Sequence, residues 1–170
     1  SGANNVAVGR QALEANTTAD NNTAIGYQSL LANTTGTQNV SVGSISSVTN
    51  TTGCYNTALG HASLYNNSTG CYNTALGNFA GNDNTTANNN TAVGYFALKA
   101  NTTGAGNVAV GRDSLKGNTT ANDNVALGYT ALCTNTTGAN NVAVGNYSLR
   151  ANTTASSNTA VGMGSLNANT

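Results

Sequence analysis

The chain has 170 residues, of which 6% are charged and 5% aromatic; it contains no proline or tryptophan, and its net charge is +0. A soluble globular domain normally carries about 25% charged residues. Without an excess of positive charge, or an apolar run of about 20 residues, the sequence gives no reason to expect nucleic-acid binding or membrane insertion. Abundant Asn, Thr, Ser and Gly would be typical of disorder unless a strict repeat lets small side chains pack.

Such a repeat spans the whole chain. The phrase Asn-x-Ala-(Val/Ile/Leu)-Gly, with Ser41 as the one exception at Ala, recurs every 17 residues, so that its glycine falls at regular intervals from Gly9 to Gly162. We number the columns of each unit 1 to 17 from the Asn that opens the phrase, and the coils 1 to 10 from Asn5. We predict a single repeat domain over residues 1–170 without capping units, either a segment of a longer repetitive fibre or the subunit of a head-to-tail filament.

Each unit carries the signals of short strands and turns. Columns 2 to 4 alternate between larger and small side chains, which is the period of a β-strand, and column 9 is Leu in eight copies. Gly in column 5 and Asn-Thr-Thr-(Gly/Ala) in columns 12 to 15 favour turns. We therefore expect an all-β parallel β-solenoid, a β-roll of ten 17-residue coils with two short strands per coil, stacked about 4.8 Å apart. Column 4 is expected to face the column 9 leucines in the core.

Two coils lack the column 9 leucine, which is replaced by Ser47 in coil 3 and by Gly81 in coil 5. An unfilled cavity of this size costs about 2–5 kcal/mol. We expect nearby apolar side chains to fill the space, Ile45 and Val48 in coil 3 and Phe79 in coil 5.

Columns 1 and 12 are Asn in every copy. We expect them to form hydrogen-bonded amide ladders along the solenoid axis. The alternative for column 12 is N-glycosylation, because Asn-Thr-Thr and Asn-Ser-Thr are acceptor sequences, but glycans about 4.8 Å apart would collide. The predicted ladder residues are Asn5, Asn22, Asn39, Asn56, Asn73, Asn90, Asn107, Asn124, Asn141 and Asn158 in column 1, and Asn16, Asn33, Asn50, Asn67, Asn84, Asn101, Asn118, Asn135 and Asn152 in column 12, which Asn169 continues.

Cys54 and Cys71 occupy column 16 of consecutive coils. The expected spacing of coils permits a disulfide between them but does not require one. Cys133 lies in column 10 and has no such partner. Three cysteines do not decide the redox compartment.

Two sets of outward side chains are candidates for binding. Paired threonines in columns 13 and 14 invite comparison with ice-binding solenoids, but neighbouring residues of a strand point to opposite faces, which favours turn capping. The aromatic residues of columns 6 and 7 are either scattered surface residues or one face for saccharides or neighbouring chains. They are Tyr27, Tyr95 and Tyr129 in column 6 and Phe79, Phe96 and Tyr147 in column 7.

The sequence offers no cluster of catalytic or metal-ligating residues. His61 is the only histidine, and it lies in variable column 6, while the carboxylates do not share a column. We therefore predict no catalytic residue, no metal, no cofactor and no enzymatic activity.

The phrases Asn-Thr-Ala-Val-Gly and Asn-Val-Ala-Val-Gly, followed by Ala/Ser-Leu and Asn-Thr-Thr-Gly, resemble the repeats of trimeric autotransporter adhesin heads. They are also similar to repeats of bacteriophage tail fibres and large bacterial surface proteins. The resemblance covers all ten units and implies a left-handed roll, three associated chains and a location at the cell surface or on a virion. The present unit is longer than that of adhesin heads, so we expect an extended turn after column 12.

We accordingly expect a structural protein of an extracellular fibre or filament with an attachment role, in a phage tail fibre or a bacterial surface filament. Its expected partners are copies of itself, as a trimer or a head-to-tail filament, and a host-surface receptor or glycan, without nucleic acid or membrane insertion. The alternative is a ligand-binding solenoid, such as an ice-binding or saccharide-binding module.

Overall fold

The computed structural model describes residues 2–168, so that Asn169 lies outside the described residues, and it is an all-β solenoid with ten parallel strands in one sheet. Successive strands pair in register 17 residues apart, as Val6 pairs with Thr23 and Val8 with Ile25. The predicted parallel β-solenoid of 17-residue coils is therefore confirmed. The strands follow chain order as β1 Val6–Val8, β2 Thr23–Ile25, β3 Val40–Val42, β4 Thr57–Leu59, β5 Thr74–Leu76, β6 Thr91–Val93, β7 Val108–Val110, β8 Val125–Leu127, β9 Val142–Val144 and β10 Thr159–Val161.

The described part of the chain has one strand per coil, not the two that were predicted. Columns 7 and 9 adopt positive φ, for example 55° at Gln28 and 50° at Leu30, whereas a β-strand requires negative φ. Hydrogen bonds between coils nevertheless continue here: Leu30 N donates to Ser46 O at 3.1 Å, and Gln28 N donates to Arg10 O at 2.9 Å. The second side of the roll is thus a hydrogen-bonded ladder of turns.

The core contains column 3 and not column 4. Ala58 of column 3 is fully buried and belongs to the same apolar cluster as Leu64 of column 9, whereas Leu59 of column 4 is 50% exposed. The prediction that column 4 faces the leucines was wrong. Neighbouring residues of a strand point to opposite faces, so burial of the small column 3 side chain turns columns 2 and 4 outward. Alanine in column 3 keeps the roll thin.

Column 5 glycine is required by the backbone. Its φ lies between 121° and 142° in every coil, a range that residues with a side chain rarely adopt. A Cβ atom on Gly111 would lie 2.6 Å from the carbonyl oxygen of Gly128 in the next coil. The glycine therefore permits both the turn after the strand and the close stacking of coils.

The space left by Gly81 is filled from the preceding coil. Cδ2 of Leu64 lies 3.0 Å from the position that a Cβ atom on Gly81 would take. Phe79 is only half-buried and packs against surface rings, so its predicted role in filling this space was wrong. A leucine already present in the core reaches the space without any change of the backbone.

Coil 3 interrupts the apolar core with serines. The buried apolar residues form one cluster around Leu13 and Leu30 and a second that starts at Ala58. Between them, Oγ of Ser46 lies 2.9 Å from Oγ of Ser63. Val48 is buried as predicted, whereas Ile45 is only half-buried. Hydrogen bonds therefore replace apolar contact in this part of the core.

Candidate functional site

The column 12 asparagines form the predicted ladder inside the turn. Nδ2 of Asn118 donates to Oδ1 of Asn101 at 2.9 Å and to the carbonyl oxygen of Ala121 at 3.0 Å, and Oδ1 of Asn118 accepts from Nδ2 of Asn135 at 3.0 Å. The same pattern runs from Asn33 to Asn152. Because Asn118 is fully buried and donates both of its amide hydrogens, its sequon is closed to a glycan in the folded chain.

The column 1 asparagines join the coils through the backbone. Asn107 N donates to Oδ1 of Asn90 at 2.9 Å, and Nδ2 of Asn107 donates to the carbonyl oxygen of Ala121 at 2.8 Å. Both ladders therefore meet at the column 15 carbonyl, which accepts one hydrogen bond from each. These side chains satisfy buried backbone groups and hold the extended turn, so their role is structural.

The two threonine columns differ in environment. In column 13 the hydroxyl of Thr102 donates to the carbonyl oxygen of Thr119 at 3.0 Å, and equivalent bonds run from Thr17 to Thr136. The column 14 threonines, from Thr18 to Thr154, are exposed. The column 13 hydroxyls thus bond consecutive coils to each other, and turn capping within one coil stays a prediction.

Cys54 and Cys71 are free thiols. Cys54 N donates to Sγ of Cys71 at 3.1 Å, so the second thiol replaces a side-chain oxygen as acceptor between coils. Beside them, the rings of Tyr55 and Tyr72 stack with centroids 4.9 Å apart and an interplanar angle of 8°. The sequence analysis did not single out these tyrosines, although the duplicated Cys-Tyr-Asn phrase places them in one column.

The aromatic residues of columns 6 and 7 lie together on one surface between coils 4 and 6. Phe79 packs edge-on against His61 at 5.3 Å, and its ring is tilted by 42° against Phe96 at 5.2 Å. Tyr95 lies 4.0 Å from Phe96, and all three distances are between ring centroids. Tyr129 and Tyr147 form a second, T-shaped pair at 5.3 Å. The aromatic residues of columns 6 and 7 thus form two separate groups, and Tyr27 lies apart from both, beneath the guanidinium of Arg10.

A cleft of about 540 Å³ separates these two aromatic groups. It exists because column 7 holds the smaller side chains of Asp113 and Thr130 in coils 7 and 8, between Phe96 in coil 6 and Tyr147 in coil 9. Its volume lies in the range of small-molecule sites, about 300–1,000 Å³. The cleft is also lined by Lys99, Lys116, Gly117, Cys133 and Thr134.

The polar groups of the cleft are unevenly paired. The carboxylate of Asp113 contacts Nε of Arg112 and Nζ of Lys116, each at 3.1 Å. Oγ1 of Thr130 is buried and has no hydrogen-bond partner among the described residues. Burial raises the pKa of the Cys133 thiol above its ordinary value, so that this wall of the cleft is uncharged at neutral pH. Both lysines of the lining are therefore paired with carboxylates, Lys99 with Asp83 and Lys116 with Asp113, and the hydroxyl of Thr130 is shielded from solvent.

Two of the five cationic residues of the chain, Lys99 and Lys116, line this cleft. The sequence analysis did not identify this site. The signal was present, because Lys99 and Lys116 occupy column 10 of consecutive coils.

Within residues 2–168 no group of three or more His, Cys, Asp or Glu side chains is arranged to hold a metal ion. His61 is exposed, and its ring contacts Phe79. The described residues also include no helix that is long and apolar enough to cross a bilayer. Comparison with protein-family models, with curated proteins and with solved structures finds no match.

Proposed function

We propose that this chain is a rigid structural segment of an extracellular fibre with an attachment role, in which copies of the solenoid associate through the outer face of the sheet. The observation that carries the proposal is the composition of that face. Columns 2 and 4 contain only Val, Ile, Leu and Thr in every coil and no charged residue. Exposed positions on this face include Val8 at 56%, Leu59 at 50% and Val110 at 37%.

The sheet presents this face as a continuous stripe. Ten strands at about 4.8 Å make it about 48 Å long. Large exposed apolar patches on soluble proteins mark interaction surfaces, and in a three-fold assembly the same patch of each chain can face the common axis. Because all chains carry the same stripe, a second copy matches it in length and in spacing.

The coil-to-coil bonding supports a role as a stiff spacer. Each coil donates strand hydrogen bonds to its neighbours, and two asparagine ladders add side-chain bonds between the same coils. Bending would break several of these bonds at one coil boundary. The extracellular location and the choice between a phage fibre and a bacterial surface filament rest on the resemblance of the repeat phrases, which also suggests three chains.

Analytical ultracentrifugation of the purified chain tests the proposal. We expect a concentration-dependent assembly of defined stoichiometry, with three chains favoured, and elongated particles in electron micrographs. The double variant Leu59→Glu with Val110→Glu places charges on the stripe and should give monomers that retain the far-ultraviolet circular dichroism of the wild type. Tyr72→Glu is the matched control, because Tyr72 is 58% exposed but lies in column 17. A wild-type chain that stays monomeric at millimolar concentration would contradict the proposal.

A further inference from the structure

We propose that Cys54 and Cys71 are the site of a reversible disulfide that cross-links coil 3 to coil 4, where the apolar core is interrupted. The co-reactant is an oxidised low-molecular-weight thiol such as oxidised glutathione. The inference goes beyond the proposed fibre and does not rest on it, because it concerns a bond within one chain. Two independent features meet at this boundary between coils: a pair of adjacent thiols on the outer turn and a serine-containing core inside it.

The two thiols lie next to each other on the outer turn. Both cysteines occupy column 16 and are half-exposed. Sγ of Cys71 accepts a hydrogen bond from the backbone N of Cys54 at 3.1 Å, so this thiol already reaches back to the preceding coil. Neighbouring coils repeat at about 4.8 Å, which falls within the Cα separation of about 4.4–6.8 Å that disulfides tolerate. Rotation of the two side chains, with a small shift of the turn, therefore brings the sulfurs into bonding distance.

Only weak hydrogen bonds hold the two S–H groups in the reduced chain. Sγ of Cys54 donates to the carbonyl oxygen of Thr52 at 3.3 Å, and Sγ of Cys71 donates to that of Thr69 at 3.5 Å. A thiol is a weak donor, so the loss of these two bonds costs little when the protons leave. Sγ of Cys54 also accepts from the backbone N of Thr37 at 3.3 Å, and a disulfide sulfur keeps the lone pairs that this bond requires.

The core of coil 3 explains what the cross-link does. Ser41 and Ser47 are buried in columns 3 and 9, where most other coils carry alanine and leucine. The buried apolar residues accordingly form one cluster in coils 1 and 2 and another from coil 4 onward. Because burial of apolar surface is the main driving force for packing, local opening is expected first at the boundary around coil 3. A covalent bond between coils 3 and 4 opposes that opening.

The oxidation consists of two thiol–disulfide exchanges. The thiolate of one cysteine attacks a sulfur of oxidised glutathione, which forms a mixed disulfide and releases one glutathione thiolate. The thiolate of the other cysteine then attacks the protein sulfur of the mixed disulfide, which forms the bond between Cys54 and Cys71 and releases the second glutathione. The two thiol protons pass to the released glutathione thiolates, and the two electrons reduce the glutathione disulfide. Because both cysteines are half-exposed, excess reduced glutathione reverses the reaction.

Incubation of the folded chain with oxidised glutathione, followed by peptide mass spectrometry, tests the inference. We expect a cross-linked peptide pair that contains Cys54 and Cys71, and no cross-link to Cys133, which lies in another column. Amide hydrogen exchange in coils 1–3 should slow by about tenfold or more on oxidation, while coils 8–10 stay unchanged, and dithiothreitol should restore the original rates. The inference is overturned if only mixed disulfides with glutathione form, if the cross-links join different chains, or if exchange is unchanged in the cross-linked chain.

Two variants separate the cross-link from the mere loss of a thiol. Cys71→Ser keeps an oxygen that can accept the hydrogen bond from Cys54 N but cannot form the disulfide, so its exchange rates should be the same with and without oxidised glutathione. Cys133→Ser is the matched control, because it removes a thiol from column 10 and should leave the effect of oxidation intact. Slower exchange of oxidised Cys71→Ser, or no slowing in Cys133→Ser, would contradict a cross-link between coils 3 and 4.

Discussion

Replacement of Gly111 by alanine probes the contact that holds neighbouring coils together. The φ of Gly111 is 127°, and its added Cβ atom would lie 2.6 Å from the carbonyl oxygen of Gly128, which is backbone and cannot rotate away. Backbone strain in such a region costs about 1–3 kcal/mol. Displacement of packed neighbours costs about 1–3 kcal/mol more, so we expect the variant to lose about 2–6 kcal/mol of unfolding free energy.

Gly162→Ala separates the two causes. Gly162 has a φ of 121°, but no heavy atom lies within 4 Å of its added Cβ atom. This variant should therefore lose only the strain energy, about 1–3 kcal/mol.

Urea unfolding followed by circular dichroism gives the two losses, and amide hydrogen exchange shows whether the loss is confined to the coils beside the substitution. Local exchange is informative because repeat proteins gain stability coil by coil. Equal losses in Gly111→Ala and Gly162→Ala would refute the steric argument, since the two sites differ mainly in the contact with the next coil.

Three further predictions concern the column 12 asparagine ladder, the serine-containing core of coil 3 and the buried thiol of Cys133. Asn118→Ala leaves partners on both sides unsatisfied and should cost about 2–5 kcal/mol, against less than about 1 kcal/mol for exposed Asn122→Ala in the same coil, as measured by urea unfolding. Ser47→Leu restores the column 9 leucine and should raise the unfolding free energy by about 1.5–3 kcal/mol; an unchanged value would show that Val48 already fills the space. The pKa of Cys133 is raised by burial, so alkylation by iodoacetamide should require higher pH in the folded chain than in urea, and mass spectrometry of the modified peptide measures this. The thiol of Cys133 ionises at lower pH in the unfolded chain than in the folded chain. Its contribution to the unfolding free energy is therefore constant at pH values where both thiols are protonated, and it falls as the pH rises through the pKa of the unfolded chain. Identical alkylation profiles of the folded and unfolded chains would contradict this.

The sequence determined the period, the parallel register and the ladders of this protein. A phrase that recurs every 17 residues can stack only coil on coil, since a single coil is too short to bury a core. Asparagine at every column 1 and column 12 indicates a position that must satisfy backbone groups, and both columns do so. Glycine at every column 5 likewise indicates a backbone conformation and a close approach of coils that leave no room for a side chain. These features are local to one unit and are repeated, so they can be predicted from the sequence alone.

Only the tertiary structure decided which face of the strand is buried. Column 4 is Val, Ile or Leu in every coil, and the sequence therefore indicated a core that includes column 4. The coils instead bury alanine, as at Ala58, and leave Leu59 half-exposed, because a thin roll has room for one small column opposite the leucines. The positive φ of columns 7 and 9, which removes the second strand, is equally absent from residue preferences, since leucine seldom adopts it.

The cleft could also be recognised only in the tertiary structure. Asp113 and Thr130 are separated by 17 residues in the chain, and each is unremarkable in its own coil. Stacking places them side by side and brings Lys99 and Lys116 of column 10 into the lining of the same cleft. The physical reason is that a solenoid turns each column into a surface row, so that a site arises from differences between coils, whereas the repeat that fixes the fold consists of what the coils have in common.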